Sequence, residues 1–311
     1  MIRQKAQDFL KDYHPHLLTF KEREELLKGL IEEAYREEEG LRRFDRRYRD
    51  LLVRLHLGDE AQIKEIHCKL NEMAWEAFKE SSSVRQLHHF CSDYRDRLTS
   101  RLLEMVAREM EEEGLGPPPT PYAWIGMGSE GRREQTLLTD QDNLLLYSSS
   151  GDTPKEYYRL FAERMVRKLH HVGVRRCKGG VMASKKKWRG EIGEWKRRIE
   201  ERVKWGRGPL TVLDLIIMMD MRYVGGERRL AEELIGFADE YLMENTSLVD
   251  RMAESAIFMA VPIGLFRRFI TEKEGDFKGK LNLKFGGWGP LVLLVRLLAK
   301  RYKIPSTNTL E

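Results

Sequence analysis

Residues 126–147 read "GMGSEGRREQTLLTDQDNLLLY", and what this stretch folds into decides the rest of the chain. An apolar run, "YAWI" at 122–125, leads into glycine and predicts a buried strand. Gly128 and Ser129 then make a turn, and "SEGRREQTLL" predicts a short helix. "DNLLLY" at 142–147 predicts a second strand. Side chains alternate along a strand with period two, so Asp140 and Asp142 would share a face. Two carboxylates this close repel; they are comfortable in a solvated turn or around a cation. An isolated Asp-x-Asp favours the solvated turn.

The residues before the acid pair change that balance. Glycine lets backbone N–H groups approach a phosphate closely. A helix start adds free donors, and the Ser129 hydroxyl adds one more. Phosphate donors and metal-binding carboxylates would therefore lie side by side. Hard oxygen ligands of this kind suit Mg²⁺, whose shell substrate phosphates and water complete.

Working outward, residues 1 to about 115 carry leucines and aromatics at three- and four-residue intervals amid dense mixed charge. This predicts amphipathic helices, broken at Gly58-Asp59 and restarted after serines 81–83, with Gly114 as the stop. The run "GLGPPPTPY" cannot continue a helix and sets a boundary. Beyond it, strands and helices alternate. Helices are predicted in "KEYYRLFAERMVRKLHHVG" and "GEIGEWKRRIEERVKWG", and an apolar stretch leads into a strand ending at Gly225-Gly226. From 227 onward the pattern is helical again, with a glycine-rich break at "KFGGWGP". The expected fold is α+β: a small mixed-sheet core over 116–226, an N-terminal helical region over 1–115 and a C-terminal helical domain over 227–311.

The chain has 311 residues, 41% hydrophobic and 34% charged, which supports a real core. Fifty-five Lys and Arg are nearly cancelled by 50 Asp and Glu, leaving +5. That balance argues against a dedicated nucleic-acid binder and is compatible with anionic substrates such as nucleotides. The three cysteines, Cys68, Cys91 and Cys177, lack metal-site spacing and suggest a reducing, cytoplasmic setting. The first residues lack a signal-peptide pattern, and the longest apolar runs are too short to span a bilayer.

The strand, Gly-Ser turn and Asp-x-Asp together resemble the nucleotidyltransferase superfamily that includes DNA polymerase beta. The fuller string "GSEGRREQTLLTDQDNLLLY" resembles the narrower DUF294 group, related to the protein uridylyltransferase and adenylyltransferase of nitrogen control. "CKGGVMASKKKWRGEIGEW", "MMDMRYVGGERRLAEEL", "PIGLFRRF" and "LNLKFGGWGPLVLLVRLLA" extend the likeness over about residues 80–311. It implies further helix after "STNTLE", and it implies roles. Gly128 and Ser129 would hold nucleotide phosphates. Apart from the resemblance, Arg132 follows the phosphate turn and would face the site, and Lys187 and Arg189 in "ASKKKWRG" are open between contacts to triphosphate or acceptor and a solvated basic turn. Asp140 and Asp142 would bind Mg²⁺ or Mn²⁺, with Asp220 as the third carboxylate and Asp214 as its rival. Arg222 is open between an ion pair and a substrate contact. Gln141 departs from the apolar residue common in the superfamily.

The implied reaction transfers a nucleoside monophosphate from NTP to a hydroxyl on a protein or small molecule, in signalling or regulation; the alternative is a catalytically silent nucleotide-sensing module.

Overall fold

The computed structural model describes residues 18–148, 153–257, 263–264, 269–274 and 277–311. The first seventeen residues, most of the loop expected around 148–152, and part of "PIGLFRRF" lie outside these ranges. The chain forms two compact units, residues 1–90 and 91–311.

In the first unit, α1 (Phe20–Leu57) and α2 (Glu60–Ser81) form a helical pair. Thr19 and Asp59 cap their starts, each in a reciprocal capping box, so the break at Gly58-Asp59 is where the sequence places it. Leu51, Leu55, Ile63, Ile66, Leu70 and Met73 are buried. α3 (Val84–Glu112) begins after Ser83, whose Oγ accepts from Gln86 N–H, and stops at Gly114, where φ is +84°.

The second unit is built on a four-stranded sheet. β1 (Tyr122–Gly126), β3 (Asn143–Tyr147), β5 (Arg189–Glu191) and β6 (Arg222–Gly226) lie in the order β5-β3-β1-β6. β1 is antiparallel to β3 and β6, and β3 is parallel to β5, so the sheet is mixed as expected. Two further short strands, β2 (Asp140–Gln141) and β4 (Arg175–Arg176), pair in parallel as a separate ribbon.

Helices cover the sheet. Ala123, Ile125, Leu144 and Leu146 face a core built from α6 (Ile192–Trp205), α7 (Val212–Met218), α8 (Arg228–Glu244), α9 (Thr246–Ile257) and α10 (Gly289–Arg301). Trp124 and Leu145, on the alternate face, are also fully buried. α5 (Thr153–His171) lays Tyr158 and Phe161 against Tyr147 and Tyr122. Burial on both faces explains why β1 and β3 read as continuous apolar runs rather than alternating ones.

The expected boundary near residue 115 does not coincide with the division between compact units at Phe90 and Cys91. The later part of α3 belongs with the sheet: a Cβ on Gly225 of β6 would meet Leu103 Cδ1 at 2.6 Å. Among the described residues, no helix is long and apolar enough to cross a membrane.

Candidate active site

β1 runs out at Gly126, and Met127 leads into α4 (Gly128–Gly131). The helix expected over "SEGRREQTLL" is only this one turn. It ends because Arg133 adopts a left-handed φ of +55°, which lets Arg132 and Glu134 on either side point inward. Gly128 has φ +56°, and a Cβ there would sit 2.7 Å from Asp142 Oδ2. Gly131 is equally constrained: its missing Cβ leaves room for the Asp220 carbonyl.

Asp142 lies at a break between β2 and β3, where the chain leaves the small ribbon for the main sheet. The expected alternation holds across it. Asp140 and Asp142 are partly exposed, whereas Gln141 and Asn143 are buried. Gln141 Nε2 donates to the carbonyls of Val166 and Val174, at 3.2 and 3.1 Å. A polar residue is thus accommodated where an apolar one is usual, and it holds the acid strand to α5 and to the residue just before β4. Asn143 N–H donates to the Val181 carbonyl, and Asn143 Oδ1 accepts from Ala183 N–H. That fixes the start of the lysine-rich loop against β3.

Burial, then the neighbouring charge of Asp140, raise the pKa of Asp142 above the usual carboxylate range; a hydrogen bond from the Cys177 thiol opposes them. Asp140 and Asp142, the latter held against a glycine turn, offer hard oxygen donors that could hold a Mg²⁺ or Mn²⁺ ion.

Asp220 departs from its expected place. It precedes β6 and is buried, with both oxygens engaged: Arg132 Nη1 donates to Oδ2 at 2.5 Å and Arg296 Nε to Oδ1 at 2.9 Å. Among the described residues, no group of three or more His, Cys, Asp or Glu is placed to hold a metal ion. Both oxygens of Asp220, the expected third carboxylate, are held by guanidinium partners. Its rival, Asp214, closes a capping box with Thr211 at the start of α7 and pairs with Lys187 at 2.5 Å.

The expected cationic contacts are likewise engaged within the chain. Arg132 donates to Glu134 Oε2 at 2.8 Å as well as to Asp220, and its guanidinium lies over the Trp288 ring. Burial opposes its charge, but Asp220 and Glu134 more than offset this and hold it protonated. Arg189 Nη1 donates to the Ala183 carbonyl at 2.7 Å. Lys185 and Lys186 remain exposed. The ambiguity at Arg222 resolves toward an ion pair: it grips Asp96 with two bonds of 2.8 Å and donates from Nε and Nη2 to the Glu130 carbonyl. Glu130 itself is buried against Gly126, and burial raises its carboxyl to about 8.

Several of these residues were invisible as site-builders in the sequence. Arg296 had one signal, a lone arginine inside the apolar run "PLVLLVRLLA". The amides of Gln141 and Asn143 had another, since both fall on the buried phase of the strand. Cys177 had none.

A mixed sheet with an acid pair just ahead of β3 and beside a Gly-Ser turn fits an α+β nucleotidyltransferase core. A family model described as "Putative nucleotidyltransferase DUF294" matches residues 68–207, and one described as "Putative nucleotidyltransferase substrate binding domain" matches 246–311. The chain belongs to the DUF294 family, carrying both its core region and its C-terminal domain. No curated protein matches it.

Proposed function

We propose that this protein is a Mg²⁺-dependent nucleotidyltransferase that moves a nucleoside monophosphate from NTP to a hydroxyl on a protein or small-molecule acceptor. The carrying observation is the packing of Asp142 Oδ2 into the space a Cβ on Gly128 would need, which puts a carboxylate against the turn. Asp140 and Asp142 would hold the metal, which when bound neutralises triphosphate charge and acidifies the acceptor hydroxyl. Gly128 and Ser129 would orient the phosphates through backbone N–H groups and the Ser129 hydroxyl. The acceptor oxygen bonds to the α-phosphorus as the bond to the bridging α–β oxygen breaks. Pyrophosphate leaves with that electron pair, and the hydroxyl proton passes to solvent. Orientation and charge neutralisation supply most of the rate.

In this reading Asp220 and Arg132 organise the turn from inside rather than touching metal or nucleotide. Lys187 and Arg189 hold the 181–189 loop in place. The exposed Lys185 and Lys186 are its free cations toward an anionic substrate.

One observation favours a second reading, a nucleotide sensor without turnover: the third carboxylate is held by arginines. Calorimetry with Mg²⁺ and an α,β-methylene NTP tests the shared part. Binding that requires metal and is lost in Asp142→Asn supports both readings; metal-independent binding, or none in folded protein, contradicts both. Pyrophosphate release from NTP then separates enzyme from sensor.

A further inference from the structure

The last residues of the chain return to the turn. Thr307 Oγ1 donates to the Gly131 carbonyl at 2.8 Å, and Asn308 Nδ2 donates to the Arg132 carbonyl at 3.1 Å. Thr309 N–H donates to Glu134 Oε1 at 2.5 Å. With Arg222 on the Glu130 carbonyl, three successive carbonyls at the end of α4 each have a side-chain donor from elsewhere in the chain. A helix end leaves such carbonyls short of intrahelical partners; here the Glu130 carbonyl also accepts from Arg133 N–H at 3.2 Å, and backbone bonds from Gly131, Arg132 and Glu134 hold the turn itself.

Arg296 organises this arrangement. It is 3% exposed, and its three nitrogens reach three acceptors. Nε goes to Asp220, Nη2 to the Met219 carbonyl at 3.0 Å, and Nη1 to the Ser306 carbonyl at 2.8 Å. Asp220 in turn holds Arg132. An apolar side chain would pack a helix such as α10 at equal or better stability than a buried charge network. What the network adds is direction: each donor fixes one acceptor in one place.

We propose that Arg296, with the 306–309 segment, is a clasp that positions the Gly128-Ser129 turn for nucleotide. Arg296, Thr307 and Asn308 are positioning residues; none touches substrate. The proposal rests on the reading of that turn as the phosphate site. It gives the C-terminal domain a role in the core's geometry in addition to whatever acceptor it binds.

The test is calorimetry on the full chain. Mn²⁺ alone, then α,β-methylene ATP with Mn²⁺, are titrated into wild type, Thr307→Val/Asn308→Leu, Arg296→Met and Arg296→Lys. The double variant should weaken nucleotide about five- to tenfold, the scale of one lost hydrogen bond. Its Mn²⁺ affinity without nucleotide should stay at the wild-type value. Arg296→Met should weaken nucleotide by more than about tenfold, with Arg296→Lys regaining part of the loss. Wild-type nucleotide affinity in the folded double variant overturns the clasp, and so does a parallel loss of Mn²⁺ affinity, which marks a general structural role. If Arg296→Met does not fold, the double variant decides. A wild-type protein that binds Mn²⁺ but no nucleotide overturns the phosphate reading itself, and the clasp with it.

Discussion

Gly128 carries two constraints at once. Its φ of +56° is one that a residue with a Cβ pays about 1–2 kcal/mol to adopt, and the Cβ itself would collide with Asp142 Oδ2 at 2.7 Å. Gly128→Ala should therefore cost little more than that in stability, by urea unfolding. It should cost about a hundredfold in turnover, because a displacement of about 1 Å at a reacting group has that scale. Unchanged turnover in the variant would separate Asp142 from the chemistry. Glu130, two residues on, supplies a pH test. Burial raises its folded pKa to about 8, from an ordinary value of 4.5. Between those values the folded protein keeps a proton that the unfolded chain has lost, so stability falls as pH rises through the window. Glu130→Gln has no such loss. Its unfolding free energy from urea titration should match wild type near pH 4.5 and exceed it increasingly up to pH 8, by an amount on the order of a few kcal/mol. A gap that stays constant with pH would contradict the raised pKa. Both residues stand in the opening motif, but only the glycine's role was legible there. The burial of Glu130 comes from the way the turn folds onto β1 and β6, which no local pattern encodes.

At the scale of elements, the acid strand is two strands. β2 belongs to the ribbon and β3 to the main sheet, and Gln141 and Asn143 anchor the two sides of the break at Asp142. Asn143→Leu keeps the volume but leaves Ala183 N–H without its acceptor. We expect a loss of about 1–3 kcal/mol. Amide exchange should accelerate locally at Ala183, measured by hydrogen–deuterium exchange, with α5 unaffected. Protection at Ala183 equal to wild type would mean that the loop is held by something other than Asn143. The period-two alternation made the shared face of Asp140 and Asp142 readable. The break was not readable, because it depends on β4 lying beside β2, a pairing with Arg175 and Arg176 far along the chain. The helix over "SEGRREQTLL" failed for a related reason. Local propensity favours continuing it, while the buried partners of Arg132 and Glu134 require Arg133 to turn left-handed.

Across the whole molecule, the chain's far end completes its centre within the unit 91–311. Asp220 reads in sequence as an acid near a strand, which suits a metal ligand equally well. Only the tertiary arrangement of Arg132 and Arg296 around it makes it an ion-pair hub. Sequence carries residue type and periodicity; it does not carry which cations will arrive from 88 and 76 positions away. The central claim is nucleotidyl transfer at the Asp140–Asp142 pair, and the position of the label tests it most directly. NTP labelled on the α-phosphate, and separately on the γ-phosphate, is incubated with Mg²⁺, cell lysate and either wild type or Asp142→Asn. The account predicts α-label on an acceptor and γ-label in pyrophosphate, both requiring metal and both absent with Asp142→Asn. Transfer of the γ-label to the acceptor, or α-label transfer that survives Asp142→Asn, would contradict it.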